Sequence, residues 1–391
     1  MARTCRTSSS GRGLLSALRV LVLNAGSSSL KASVLETGDL STLAQTEVSL
    51  GTDATRTQGL REPVRGALKA LDDSVSMMSI DAVGHRIVHG GTRFRHAVRV
   101  TPGVMKGIES LAEFAPLHNH VGAGVIRAAQ TVLRTRPQVA TFDTAFHATL
   151  PEAAFVYPLP YGWYRDWKVR RFGFHGLSCE WSVQRAARLL NTPAAQLALI
   201  VAHLGSGASV SAILEGRSVD TSMGLTPLEG LMMGTRAGSV DPGILLYAMR
   251  RRRVTTRRLD DQLWHESGLV GVAGRKAGMQ ELEQAAGRGN GRAQLAVEIF
   301  VRRAAAGIAA MATALPRIDG LVFTGGIGEH SASVRSAIVR RLAPLGFNEI
   351  RVAHASEDLV LSEPGWRPAV LRVEAREDAV IAGQTAALLA K

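Results

Sequence analysis

The chain has 391 residues, 46% hydrophobic and 20% charged, with a formal charge of +13 at pH 7. That length accommodates two domains with separate cores, and no stretch approaches the roughly 18 uninterrupted apolar residues of a membrane span, so no membrane partner is expected. The basic excess is almost entirely arginine, 40 of the 46 basic residues, and with no nucleic-acid motif and only 5% aromatics it reads as a solvated surface, so no nucleic acid is expected either.

Residues 1–18 are basic and Ser-rich, too broken for a secretory apolar region, and read as a disordered extension. Cys5 and Cys179 form neither a disulfide framework nor a metal cluster, which fits a reducing cytoplasm. Residues 19–36 then read as two strands around the turn Asn24-Ala-Gly-Ser-Ser-Ser-Leu-Lys31. A polar, variable stretch and a helical pattern near 60–72 follow. Ile80 to Gly91 reads as a buried strand ending in a Gly turn, with Arg86 and Val88 on one face and His85, Ile87 and His89 on the other. Gln138 to His147 is a further strand with Asp143 at its C-terminal end, where ligands collect in open α/β sheets.

At a constant offset of 179 residues the first strand pair recurs, as 197–215, with Gly26 matching Gly205, Ser27 matching Ser206 and Glu36 matching Glu215. A helix-rich region over 241–314 leads to Ile318–Glu329, a strand entering a Gly turn that loosely echoes Ile80-Asp81 and its sequel. Strands alternating with helices argue α/β, and the duplication argues two similar lobes with a cleft between them. Turns of glycine and small hydroxyl residues gather backbone N–H groups into concavities that favour phosphate.

Three familiar motifs are absent or incomplete. Neither a P-loop nor a Gly-x-Gly-x-x-Gly fingerprint occurs, and Ser28-Ser29-Leu30-Lys31 lacks the partner elements of penicillin-recognising enzymes. His85 and His89 have the spacing of metal ligands on a helix, but their strand setting makes them structural. What remains is a set of polar residues at strand ends and Gly turns: Asn24, Ser27, Ser29, Lys31, Arg86, His118, Asp143, His175, His203, Arg236 and Glu377. Arginine forks suit carboxylate or phosphoryl groups, lone carboxylates suit Mg²⁺, and the Gly-rich loop Met223–Gly243 carrying Arg236 has a functional composition. Together they indicate phosphoryl transfer involving a small anion.

From residue 19 onward the chain resembles the acetokinase family. The resemblance rests on Leu23–Lys31, Gly84–Gly91, Ala115–Asn119, Phe142–His147, Arg171–Gly176, Ala202–Gly205, Met223–Gly243 and Phe323–Glu329. It implies a duplicated two-lobed actin-like ATPase (ribonuclease H-like) fold with an interdomain cleft. The first lobe would comprise 19–147 plus 377–391, and the second, nucleotide-binding lobe 148–376. It also implies a homodimer that reversibly transfers the ATP γ-phosphoryl group to acetate, giving acetyl phosphate and ADP, with Mg²⁺ (or Mn²⁺) as cofactor.

On that reading Arg86, Asp143, His175 and Arg236 are catalytic, and Val88, Leu117, Phe174 and Pro227 join Arg86 in the acid pocket. Ser27, Ser29, Lys31, His203, Leu204, Gly205, Gly207, Gly325, Gly326, Ile327, Gly328 and Glu329 face ATP or its phosphates. Asn24 and Glu377 organise the metal. The chain departs from the family pattern at Leu177, Cys179, Ser206 and His330, and at Gly278 and Gln280 where the family has an Asp and an Arg beside the nucleoside; these bear on the phosphoryl donor. A propionate or other short-chain acyl kinase is the neighbouring alternative, and a non-catalytic actin-like binding protein the alternative from another class.

Overall fold

A computed structural model describes residues 17–26, 29–51, 57–351 and 357–391, except the side chains of residues 57, 58, 116 and 117. Most of the expected 1–18 extension lies outside that range, but Leu18, just before the first strand, is already held in place: its N–H donates to Thr37 Oγ1 and its carbonyl accepts from Thr37 N.

Twelve strands form two six-stranded sheets. The first contains β1 (Arg19–Ala25), β2 (Ser29–Glu36), β3 (Ser41–Ser49), β4 (Ala82–Ile87), β5 (Val98–Arg99) and β6 (Gln138–Phe142), in the order β3-β2-β1-β4-β6-β5. The second contains β7 (Ala198–Leu204), β8 (Ala208–Leu214), β9 (Arg217–Thr221), β10 (Gly320–Thr324), β11 (Leu359–Val360) and β12 (Ala369–Arg372), in the order β11-β12-β10-β7-β8-β9. Read from opposite edges, the two orders are the same. β1 pairs antiparallel with β2 and parallel with β4, as β7 does with β8 and β10. Even the start of the central strand is repeated: Asp81 Oδ2 accepts from Arg19 N at 2.9 Å, and Asp319 Oδ2 accepts from Ala198 N at 2.8 Å. The duplicated α/β architecture expected from the sequence is present.

Alternation along the central strands decides what each face meets. Leu21 and Leu23 pack outward under the helices Arg61–Asp72 and Pro116–Val132, while Val20 and Val22 face inward. In the second sheet Ile200, Ala202 and Leu204 face the helix Gly291–Ala312, and Leu199 and Val201 turn toward the first sheet. Between the sheets lie the helices Gly176–Leu189 and Glu377–Leu389, in one core with Leu177, Val183, Val380 and Ile381. Each fully buried aliphatic side chain there contributes about 1.5–3 kcal/mol.

Gly84 sets how closely the last helix approaches. A Cβ at Gly84 would come within 2.6 Å of Ile381 Cγ2 and 2.7 Å of Thr385 Oγ1, so glycine lets that helix lie on β4 and brings Glu377 beside Arg86. Gly176 does the same for the other inner helix, because a Cβ there would overlap the Asp143 carbonyl. Two sequence expectations change. The segment after β10 is a short helix, Gly325–His330, rather than an open Gly turn, entered through Gly325 at φ +76°. The polar stretch after β2 contains an edge strand, β3. No helix among the described residues is long and apolar enough to cross a membrane.

Candidate active site

The C-terminal ends of β1, β4 and β6 and the start of the last helix converge on one ionic cluster. Arg86, half-buried at the end of β4, donates from Nε and Nη2 to Asp143, at 3.0 and 2.6 Å, and from Nη1 to Asn24 Oδ1 at 3.2 Å. Asn24 Nδ2 donates in turn to Glu377 Oε2 at 2.9 Å, which lies 3.6 Å from Arg86 Nε. Burial disfavours the Arg86 charge, but Asp143 and Glu377 outweigh it and hold the guanidinium above its usual range. Burial pushes the Asp143 carboxyl up to about 6, against the downward pull of Arg86. Burial acts on Glu377 in the same sense, yet Arg86, His203, Asn24 and Lys31 keep it below the ordinary carboxylate range.

Across the cleft stand two stacked imidazoles, His175 and His203, with ring centroids 4.2 Å apart. His175 Nδ1 lies 3.0 Å from Ser209 Oγ, and His203 Nδ1 lies 2.8 Å from Ser178 Oγ. Burial, the neighbouring His203 and the cations Arg86 and Arg236 push His175 well below its ordinary value; burial pulls His203 down to about 4, with Glu377 opposing. Both are neutral at pH 7. When each serine donates to Nδ1, the proton sits on Nε2, aimed at the turn Gly205–Gly207.

Arg236 comes from the irregular segment 222–241. Its Nη1 donates to Pro227 O at 2.9 Å and its guanidinium lies over Trp264, 5.5 Å from the ring centroid. Burial alone lowers its pKa to about 10, so it stays charged at neutral pH. Among the described residues no carboxylate lies within ion-pair distance of it.

These groups line a cleft of about 910 Å³, together with Gly26, Ser29, Lys31, Val88, His118, Phe174, Gly205, Gly207, Pro227, Gly325, Gly326 and Glu329. It adjoins a second cavity of about 1240 Å³ across Gly205, Ser206, Gly326 and His330. That cavity is lined by Lys276, Gly278, Gln280, Glu283 and Ile327, among others, and Glu283 Oε1 accepts from the hydroxyls of Ser331 and Ser333.

The sequence profile of the acetokinase family matches residues 19–383. The chain belongs to the acetokinase family. It is 42% identical to the acetate kinase of Nostoc punctiforme over 93% of this chain and 98% of that one, and 44% identical to that of Deinococcus deserti over 95% and 98%. Among solved structures, the Porphyromonas gingivalis acetate kinase superposes with a TM-score of 0.87 at 34% identity, covering 95% of this chain and 100% of that one. A propionate kinase from Francisella tularensis gives 0.85 at 34% identity, covering 94% and 99%. This acetokinase is therefore a phosphotransferase with a carboxyl acceptor, which removes the reading as a non-catalytic actin-like binder.

Most of the acetokinase residues expected from the sequence do converge. Asn24, Ser29, Lys31, Arg86, Val88, Asp143, Phe174, His175, His203, Gly205, Gly207, Pro227, Arg236, Gly325, Gly326, Glu329 and Glu377 all line the first cleft, and Ile327 lines the second cavity. Leu204 is fully buried in the core behind the turn, and Gly328 lines neither space. Ser27 lies outside the described residues, and so does the side chain of Leu117, whose backbone is in the helix Pro116–Val132. Glu329 reaches the cleft, but its carboxylate is engaged within the protein: Oε1 accepts from Ala375 N at 3.0 Å and Oε2 lies 3.8 Å from Arg372. His85 and His89 are buried and hydrogen-bonded to Gln138 and to the Leu225 carbonyl.

The sequence reading passed over Gln45, Thr46 and Glu47 of β3, which also line the cleft. A signal was there: Ala44, Thr46 and Val48 alternate as half-buried positions between exposed ones. Arg171, part of the Arg171–Gly176 motif, is a hub, donating to the carbonyls of Thr221, Ser222 and Met223 and to Glu229.

Proposed function

We propose that the protein transfers the γ-phosphoryl group of ATP to acetate, reversibly and in a Mg²⁺-dependent, direct in-line reaction, giving acetyl phosphate and ADP. Arg236 carries this reading: a charged, half-buried guanidinium without a carboxylate partner among the described residues, facing the same cleft as the apolar side chains of Val88, Phe174 and Pro227. A cation beside a small apolar patch complements a short carboxylic acid, and a planar fork complements the transferring phosphoryl group. On this reading residues 19–147 with 377–391 form the first lobe, and 148–376 the second, nucleotide-binding lobe.

The acid needs no deprotonation, because acetate is ionised at neutral pH. The protein then has only to align donor and acceptor and to stabilise charge on the equatorial oxygens. Arg236 and the Nε2–H of His175 would do the latter, while Arg86, braced by Asp143, orients the acid. Lys31, Ser29 and the turn Gly205–Gly207 would hold phosphate oxygens.

Asn24, Asp143 and Glu377 fit Mg²⁺ as a donor set. All offer hard oxygens, Glu377 Oε1 accepts from no described residue, and Mg²⁺ takes one or two carboxylates and keeps waters. Among the described residues no group of three or more His, Cys, Asp or Glu is placed to hold a metal ion by itself. Asn24, Asp143 and Glu377 would together hold the ion, which would supply positive charge to offset the charge of the phosphoryl groups, a task Mn²⁺ would also suit.

A homodimer belongs to the same proposal: the helix Pro242–Arg252 leaves Ile244, Leu246, Tyr247 and Met249 exposed, an apolar surface suited to an oligomer interface. Light scattering should give twice the chain mass; a monomer would remove this part.

The resemblance to a solved propionate kinase motivates a second reading. One methylene is worth only ~1–3 kcal/mol, so both acids should react, with acetate favoured by Val88. The test is purified protein with Mg-ATP and acetate, propionate or butyrate, acyl phosphate being trapped as hydroxamate, and with other nucleoside triphosphates in place of ATP. Hydroxamate from acetate is expected; none from any pairing would overturn the proposal.

A further inference from the structure

The segment 222–241 contains no helix or strand, yet it carries both Pro227 and Arg236 into the cleft. Its second half is pinned through the backbone. Gly234 N donates to Ser206 O, Leu269 N to Met233 O and Val270 N to Gly234 O. The first half, 223–229, is held differently.

Glu229 is the centre of that half. Its Oε1 accepts from Arg171 Nη2 at 2.8 Å and its Oε2 accepts from the Tyr157 hydroxyl. Arg171 Nη1 donates to the carbonyls of Thr221, Ser222 and Met223 at 2.9, 3.1 and 3.3 Å. Tyr157 Oη accepts from Leu225 N at 2.9 Å. A Cβ at Gly224 would overlap both the Glu229 carboxylate and the Tyr157 hydroxyl, so a side chain there would displace these two groups. From the other sheet, His89 Nε2 lies 3.3 Å from the Leu225 carbonyl. The chain on either side of Pro227 is therefore tied down, and the Pro227 carbonyl receives Arg236 Nη1 at 2.9 Å.

We propose that Glu229, clamped by Arg171 and Tyr157, is a positioning residue that sets the direction of the Arg236 guanidinium through the Pro227 carbonyl. Beyond its place over the Trp264 ring, Arg236 has this one side-chain hydrogen bond among the described residues, so where that carbonyl stands helps set where the fork points. A misplacement of about 1 Å at a reacting centre costs up to about 10²-fold in rate. The inference rests on the proposed phosphoryl transfer to a short-chain acid.

The test is a double-mutant cycle on acyl phosphate formation with Glu229→Gln, Arg236→Ala and the pair. Glu229→Gln keeps the shape of the side chain but removes the charge that binds Arg171. We expect kcat to fall about tenfold or more in the wild-type background while the nucleotide KM moves less than about twofold. In the Arg236→Ala background the same substitution should cost less than about twofold, since the group it orients is gone. Tyr157→Phe, a milder change, should show the same non-additivity at smaller amplitude, and serves if Glu229→Gln does not fold. Equal losses in the two backgrounds, or an unchanged kcat in a folded Glu229→Gln protein, would overturn the inference. A wild-type protein that forms no acyl phosphate would instead overturn the functional reading beneath it.

Discussion

The two sheets have the same strand order, but what they present at matching strand ends is chemically opposite. By strand position Asn24 corresponds to His203 and Arg86 to Thr324, which Gly325 and Gly326 follow. The first sheet offers side chains that brace one another, Arg86 against Asp143 and Asn24 against Glu377. The second offers glycine backbone backed by neutral imidazoles. Duplication thus supplied two facing loop clusters, and divergence of a few residues gave one to cations and carboxylates and the other to close backbone approach.

The largest expected effect tests where the sides meet. Arg236→Ala should lower kcat by at least ~10²-fold, as loss of a transition-state charge donor does; a change confined to KM would reduce Arg236 to a binding residue. Next comes the aligned glycine pair. A Cβ at Gly205 would sit 3.3 Å from Gly207 O and 3.4 Å from His203 Nε2, whereas at Gly26 its nearest neighbours among the described residues are Ser29 O at 3.4 Å and Ser29 Oγ at 4.0 Å. Gly205→Ala should therefore raise the nucleotide KM by about tenfold, with Gly26→Ala below about twofold, if close backbone approach matters on the second side. Equal effects would erase the distinction.

Stability against pH gives a smaller effect. His85 and His147 are each lowered from 6.5 to about 4, burial being the leading cause. Below 6.5 the unfolded chain takes up protons that the folded state refuses, so stability present above pH 6.5 is lost as pH falls toward about 4. Each histidine contributes up to about 1.4 kcal/mol per pH unit in that window. The urea midpoint should fall between about pH 7 and pH 5; a constant midpoint would show that these histidines are hydrated. Smallest is Glu283→Ala in the second cavity, which should raise the nucleotide KM about fivefold and leave the acid KM unchanged. A shift in the acid KM alone would misplace the donor.

Much of this was legible in the sequence because it is written in strands. The repeated hairpin and the echo of Ile80-Asp81 correspond to paired sheets, down to the equivalent bonds of Asp81 and Asp319. Strand alternation put Arg86 and Val88 on one face, and both line the cleft. What was not legible depends on contacts distant along the chain. The Glu229 clamp joins residues 58 and 72 positions apart, and the Glu329 carboxylate accepts from Ala375 N, a partner that follows another strand. β3 was missed because an edge strand with one half-buried face shows only weak alternation. Gly325–His330 looked like a turn because glycine favours one locally, yet packing of this segment on β7 makes it helical.

The central claim is direct transfer from a backbone-held donor to an acid held by arginines, with no covalent intermediate on the protein. The most direct measurement is the stereochemical course of transfer from ATP chiral at a γ-thiophosphoryl group to acetate. A single in-line displacement predicts inversion of configuration at phosphorus. Retention would require an intermediate phosphoryl-protein and would contradict the account.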